Sequence, residues 1–223
     1  METKRIKIND TKNINDEELK EAAQILRDGG LVAFPTETVY GLGGNGLNKE
    51  ASKKIYAAKG RPSDNPLILH IADMEQFYPL IKTDNAKIIA RAEALADVFW
   101  PGPLTMILPK ADNIPYETTG GLDTVAIRMP SHLVARALLQ ECKMPIAAPS
   151  ANLSGRPSPT SASHVIEDMN GRIEMIIDGG DVGIGVESTI IDLTGEVPML
   201  LRPGFVTPEM LQQVLGTVET DAA

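Results

Sequence analysis

The chain has 223 residues, of which 43% are hydrophobic and 23% charged, the balance of an ordinary globular protein. Its formal net charge of −9 disfavours tight RNA binding, because nucleic-acid-binding proteins usually carry a basic balance or a basic stripe. The single cysteine excludes an intramolecular disulfide, and no apolar stretch approaches the ~20 residues that span a bilayer. We therefore expect a soluble, cytoplasmic protein with no membrane partner.

The first half of the chain predicts helices and strands in alternation. Asn15 is typical of a helix N-cap, and apolar residues then recur at helical spacing until Gly29 and Gly30 end the helix. Residues 36–48 hold four glycines and no periodicity, which predicts a loop. The other predicted elements are a strand over 31–35, a helix over 49–58 capped by Asn48, a polar loop over 60–66, a strand over 67–71, a helix over 85–99 and a strand over 104–108.

The second half is richer in strands. Strands are predicted over 124–129, 146–148, 175–178, 188–193 and 199–202, and helices over 130–141, after Ser161 and after Thr207. The polar tail, residues 216–223, is predicted to fray and could begin a linker. Together these elements predict a mixed α/β (α+β) fold, with helices packed on one mixed sheet.

The chain contains a G-x-G-x-x-G pattern at Gly41, Gly43 and Gly46. A dinucleotide-binding fingerprint requires these glycines in a turn that directly follows a strand and opens a helix. Residues 36–40 intervene here, so the pattern favours a tight loop whose glycines take positive φ over a Rossmann fold.

Several polar residues have both a functional and a structural interpretation. Lys59 and Arg61 could bind phosphates, although the residues alone favour a lysine that interacts with its own helix C-terminus beside a solvated arginine. Ser150 and Asn152 follow a strand, where ligands tend to bind, but both also stabilise turns. His70 lies within an apolar strand, which is typical of a structural histidine. No spacing of His, Cys, Asp or Glu predicts a metal site.

Six segments, taken in order, resemble the YrdC-like threonylcarbamoyl-AMP synthase family. They are residues 34–42, 59–67, 100–105, 149–155, 188–192 and 201–204. The resemblance runs from about residue 15 to 215 and implies one catalytic domain over residues 1–215. It also implies a large twisted sheet of parallel and antiparallel strands, flanked by helices, with a concave face that binds ligands.

The resemblance implies an enzyme that makes threonylcarbamoyl-AMP and pyrophosphate from ATP, L-threonine and bicarbonate. Mg²⁺ would accompany ATP. The product would pass to the tRNA threonylcarbamoyl transferase machinery, which modifies adenosine 37 of tRNA. Lys59 and Arg61 would hold the triphosphate and act in catalysis. The remaining residues implied to bind ATP are Asn65, Thr124, Asn152, Thr160 and Arg202, and those implied to bind threonine are Thr38, His70, Arg128, Ser150 and Ser188.

The segment over residues 185–190 resembles the long, two-domain members of the family, in which a linker and second domain follow this module. Two other functions remain open at this point. A carbamoyl-adenylate-forming module of hydrogenase maturation is similar, but in those proteins it accompanies cysteine-rich motifs that a chain with one cysteine lacks. A non-enzymatic RNA-binding module is the second alternative, and the acidic balance argues against it.

Overall fold

All 223 residues are described by a computed structural model, in which eleven strands form one sheet. In chain order the strands are β1 Lys4–Lys7, β2 Val32–Pro35, β3 Tyr40–Asn45, β4 Ile68–His70, β5 Leu104–Pro109, β6 Thr124–Arg128, β7 Ile146–Ala147, β8 Met175–Asp178, β9 Thr189–Asp192, β10 Met199–Arg202 and β11 Glu219–Thr220. Their order across the sheet is β1-β8-β2-β3-β7-β4-β6-β5-β9-β10-β11. Five neighbouring pairs are parallel and five antiparallel, so the predicted mixed sheet is confirmed.

Eight α-helices flank this sheet. They are α1 Asp16–Arg27, α2 Lys49–Lys59, α3 Met74–Phe77, α4 Ala86–Phe99, α5 Tyr116–Thr119, α6 Leu133–Cys142, α7 Ala162–Met169 and α8 Pro208–Leu215. The predicted caps Asn15 and Asn48 are confirmed, because each accepts a hydrogen bond from a backbone N–H of the first turn. Asn85 caps α4 in the same way. None of the helices combines the length and apolar character needed to cross a bilayer.

Apolar side chains cover both faces of the sheet. Val32 and Phe34 of β2 belong to a cluster of 18 buried residues that includes the inner faces of α1 and α6. Leu31 and Ala33 alternate with them and belong to a cluster of 38 buried residues on the other side. Because successive side chains of a strand point to opposite faces, the sheet lies between two apolar cores.

The prediction that residues 36–48 form a loop is wrong for residues 40–45, which form β3. Its glycines lie beside large apolar groups: a Cβ added to Gly43 would come within 2.8 Å of Phe34 Cε1. Glycine has low β-propensity, and a strand buried on both faces shows no alternation, so neither usual signal was present. Gly41, Gly43 and Gly46 also lack the positive φ expected of them, and they do not form a dinucleotide-binding turn.

Replacing Gly43 with alanine is expected to lower the free energy of unfolding by about 1–3 kcal/mol, because the new methyl group overpacks the core. The methyl group would stand 3.0 Å from the Val32 carbonyl oxygen, which belongs to the backbone and cannot rotate away. Urea unfolding measures the change. Gly183→Ala is the matched control, because nothing lies within 4 Å of its added Cβ. Equal stability of the two variants would contradict the close packing of β3.

Four short elements were not predicted, namely β1, α3, α5 and β11. Each has only two to four residues, too few to show a periodicity. The tail over residues 216–223, predicted to fray, contains β11, which pairs in parallel with β10. The domain boundary near residue 215 stays a prediction.

Candidate functional site

The register of the sheet brings five distant residues into one row. His70 of β4 pairs with Arg128 of β6, and Arg128 pairs with Thr105 of β5. Thr105 pairs in turn with Ile190 of β9, and Ile190 with Arg202 of β10. Residues that pair directly across neighbouring strands project to the same face. The sheet therefore places two arginines, a histidine and a threonine along one line.

A cavity opens over this row, bounded on one side by the β2–β3 hairpin and on another by the loop after α2. Eight of the twelve residues predicted for the site line it: Thr38, Arg61, Asn65, His70, Arg128, Ser150, Ser188 and Arg202. Among the lining residues, the ionisable groups are three arginines, one histidine and one glutamate. The cavity is thus suited to anionic ligands.

Arg128 is the most deeply buried cation that lines the cavity, with 3% of its surface exposed. Its guanidinium donates to Gly102 O (3.3 Å), to Thr38 Oγ1 (2.9 Å) and to the Glu37 carboxylate. Glu37 also accepts from the backbone N–H (2.9 Å) and hydroxyl (2.7 Å) of Ser131. Burial lowers the pKa of Arg128, and Glu37 acts in the opposite direction. Two of the five guanidinium N–H groups remain for a ligand.

The Lys59 ammonium does not line the cavity. It donates to the carbonyls of Ser150 and Asn152, the second at 2.8 Å, and Lys59 is 3% exposed. Burial, with the Arg61 guanidinium nearby, lowers the pKa of Lys59 to about 8. The helix predicted over residues 49–58 extends one residue further, so Lys59 is the last residue of α2. Its ammonium holds the 149–152 turn, which forms a wall of the cavity.

Arg61 and Arg202 lie at the side of the cavity formed by the loop after α2 and by β10. Arg61 donates to the carbonyls of Asn65 (3.3 Å) and Pro66 (3.0 Å), which fixes the loop after α2. Arg202 donates to Ser188 O at 2.9 Å, to Ser188 Oγ at 3.2 Å and to Glu187 at 2.6 Å. Burial lowers the pKa of both arginines. Both remain guanidinium cations and can bind phosphate oxygens.

His70 presents a neutral ring to the cavity. Its Nδ1 lies 3.1 Å from Ile68 O, and because a carbonyl can only accept, Nδ1 carries the proton and Nε2 is left as an acceptor. Burial, with the Arg128 guanidinium, lowers the pKa of His70 to about 3. The histidine can therefore accept a hydrogen bond from a ligand but does not add positive charge at neutral pH.

Three further predicted residues lie outside the cavity lining. Asn152 is buried, and its amide donates to Leu153 O and Arg156 O, so its side chain shapes the 149–152 turn. The carbonyl of Thr160 accepts a hydrogen bond from the Val182 N–H at 3.0 Å. Thr124 begins β6. The ligand contacts implied for these three residues, and for Lys59, stay predictions.

Sequence reasoning missed Glu37 and Glu187 as parts of the site. Glu37 lies within the 34–42 segment and neutralises Arg128, while Glu187 directly precedes Ser188 and lines the cavity. No group of three or more His, Cys, Asp or Glu side chains stands close enough to hold a metal ion. Cys142 is buried in the core, where burial raises the pKa of its thiol to about 12. A thiol of that pKa is a poor nucleophile at neutral pH.

Comparisons with known proteins identify relatives of this chain. The family model Sua5_yciO_yrdC, described as telomere recombination, matches residues 24–204. Threonylcarbamoyl-AMP synthase of Pyrococcus abyssi is 56% identical over 216 residues, which cover 97% of this chain and 62% of the relative. The Bacillus subtilis protein of the same name is 54% identical and is covered over 64% of its length. The chain therefore spans less than two thirds of these relatives.

Solved structures of the same family are similar to this chain. The crystal structure of P. abyssi Sua5 complexed with L-threonine has a TM-score of 0.92 and 52% identity, covering 100% of this chain and 63% of that one. Escherichia coli YciO has a TM-score of 0.76 and 25% identity, covering 91% of this chain and 95% of that one. The predicted fold, with its large mixed sheet and flanking helices, is confirmed.

Proposed function

This chain belongs to the Sua5/YciO/YrdC family, and we propose that it is the catalytic module of a cytoplasmic threonylcarbamoyl-AMP synthase. The single observation that carries the proposal is the cavity, in which a buried arginine with hydroxyls around it lies beside two further arginines. The buried arginine and the hydroxyls suit an amino acid with a hydroxyl side chain, and the two further arginines suit a triphosphate. The names of the relatives match this combination.

The proposed reaction joins ATP, L-threonine and bicarbonate. The threonine amine adds to bicarbonate and releases water, which gives N-carboxythreonine. An oxygen of the new carboxylate then attacks the α-phosphorus of ATP, and the bond between this phosphorus and the bridging oxygen of pyrophosphate breaks. The products are threonylcarbamoyl-AMP and pyrophosphate. No covalent enzyme intermediate is needed, so positioning and charge stabilisation supply the catalysis.

The threonine subsite in this proposal is the buried end of the cavity. The two N–H groups that Arg128 has left can bind the amino-acid carboxylate. The hydroxyls of Thr38, Ser150 and Ser188 and the acceptor nitrogen of His70 provide partners for the amine and the side-chain hydroxyl. A site that pairs with this hydroxyl rejects valine, because valine leaves buried polar groups unpaired.

The nucleotide subsite in this proposal lies at Arg61 and Arg202, with Asn65 beside them. Lys59 contributes by holding the 149–152 turn through its carbonyls. Mg²⁺ enters as part of the substrate MgATP, because this ion is held mainly by phosphates and water and needs few protein ligands. The product then passes to the tRNA threonylcarbamoyl transferase machinery, and the net charge of −9 gives no reason to expect direct tRNA binding.

The test is pyrophosphate release from MgATP in the presence of bicarbonate, with threonine, valine or no amino acid. We expect release that depends on both threonine and bicarbonate and falls by more than about 100-fold with valine. Arg61→Gln is the variant that removes a proposed phosphate contact, and Arg91→Gln is its control, because Arg91 binds the carbonyls of Gly195 and Glu196 away from the cavity.

Each other outcome has a defined meaning. Equal release with threonine and valine would contradict the assignment of the hydroxyl-binding side chains. Binding of ATP and threonine without release would mean that the reaction requires parts of the longer relatives that this chain does not span. Salt-sensitive tRNA binding without any binding of ATP would support an RNA-binding module instead.

A further inference from the structure

We propose that Glu187 competes with nucleotide phosphate for Arg202 and thereby sets the nucleotide affinity of the site. The inference rests on the proposed function and adds a role for a side chain that the reaction chemistry does not use. Glu187 is the one carboxylate among the residues that line the cavity. A triphosphate carries several negative charges, so a carboxylate on one of its arginines must oppose its binding.

The contacts of Glu187 place it on the phosphate side of the cavity. One carboxylate oxygen accepts from Arg202 Nη1 at 2.6 Å, and the other accepts from Ser158 Oγ at 2.9 Å. The Glu187 charge also acts on Arg61, the second arginine on this side. A phosphate oxygen that binds Arg202 through Nη1 therefore has to replace the Glu187 oxygen.

Removing Glu187 is expected to leave Arg202 in place, and the affinity for nucleotide is therefore expected to rise rather than fall. Arg202 Nε donates to the Ser188 carbonyl at 2.9 Å, and Nη2 donates to Ser188 Oγ at 3.2 Å. The same hydroxyl lies 2.7 Å from the buried Thr105 Oγ1. Two bonds to a fixed partner hold the guanidinium without Glu187, so its loss frees a donor without misplacing it.

A Glu187 carboxylate displaced by phosphate can move into solvent. The Glu187 side chain is 38% exposed in its pair with Arg202, so rotation brings it into water. The backbone before it need not move, because Ile184 N–H donates to Glu37 O and Gly185 N–H donates to Thr38 O, both at 3.0 Å. Displacement therefore breaks two side-chain hydrogen bonds and leaves no unpaired charge in the protein interior. This is a cost that phosphate binding can offset.

Calorimetric titration of ATP, once with Mg²⁺ and once with EDTA, tests the proposal. We expect Glu187→Gln to bind ATP about two- to tenfold more tightly than the unmodified chain under both conditions. The gain shrinks at higher salt concentration, because it is electrostatic. Asp181→Asn is the matched control, since it makes the same charge change on the same segment, where Asp181 is exposed and does not line the cavity. Glu187→Gln should have no effect when Arg202→Gln is already present.

The other results overturn the proposal in distinguishable ways. Weaker binding only with Mg²⁺ would make Glu187 a metal ligand, and weaker binding under both conditions would make it a support for Arg202. An equal gain in Asp181→Asn would mean that net charge alone is responsible. Failure of every variant, and of the unmodified chain, to bind ATP would overturn the proposed function and this inference together, whereas ATP binding unchanged by Glu187→Gln would overturn the inference alone.

Discussion

Replacing Arg128 with methionine is expected to weaken threonine binding strongly and to lower the free energy of unfolding by about 3–5 kcal/mol. Arg128 and Glu37 form a buried ion pair, with 4% and 14% of their side chains exposed. Without the guanidinium, the Glu37 carboxylate stays buried with only the Ser131 bonds to stabilise it. The proposed threonine carboxylate also loses its charged partner, which weakens binding by at least about 30-fold.

A second variant separates the two effects. Glu37→Gln combined with Arg128→Met removes both charges, so no uncompensated ion is left and much of the lost stability returns. Threonine binding should not return, because the guanidinium is still missing. Urea unfolding and threonine titration measure the two quantities independently. A double variant that binds threonine as well as the unmodified chain would show that Arg128 has only a structural role.

Replacing Lys59 with methionine is expected to impair both folding stability and ATP-dependent turnover. Methionine fills a similar volume but leaves the carbonyls of Ser150 and Asn152 without their donor, at a cost of about 1–3 kcal/mol for each buried group. Since Pro149 and Ser150 line the cavity, loss of the turn also distorts the proposed site. Thermal unfolding and pyrophosphate release measure the two effects.

Arg61→Gln provides the comparison, because Arg61 lies two residues away but in a solvent-facing loop. We expect this variant to lose ATP affinity with little change in the unfolding midpoint. If Lys59→Met instead unfolds like the unmodified chain and loses only ATP binding, its ammonium contacts the phosphates directly.

The helices of eight or more residues could be predicted because their signals are local. Asn15, Asn48 and Asn85 cap helices through bonds to residues two or three positions on, and such bonds need nothing from the rest of the chain. Strand β3 could not be predicted, because its glycines are selected by Phe34 and by Ile146 of β7, which lie across the sheet. The need for glycine at close contacts with other strands leaves no pattern within residues 40–45 themselves.

In the site, too, the sequence indicated residues individually but not the contacts between distant parts of the chain. The resemblance named eight residues that line the cavity, among them Arg128 and Arg202. It gave no account of what holds them, because the bonds of Arg128 to Glu37 and of Arg202 to Ser188 depend on how β6, β9 and β10 are placed. Lys59 illustrates the limit: its charge suggested a phosphate contact, while its burial beneath the 149–152 turn depends on contacts 91 to 93 residues away.

The row from His70 to Arg202 also has a consequence for the kinetics of folding. Its members come from five strands, and directly paired members lie up to 85 residues apart along the chain (Thr105 and Ile190). A slip of one residue in any strand would turn its member to the opposite face. Long-range pairings of this kind form late, because closing large loops costs entropy first. During refolding, ligand binding should thus recover no earlier than the slowest strand pairing, while helical signals recover sooner.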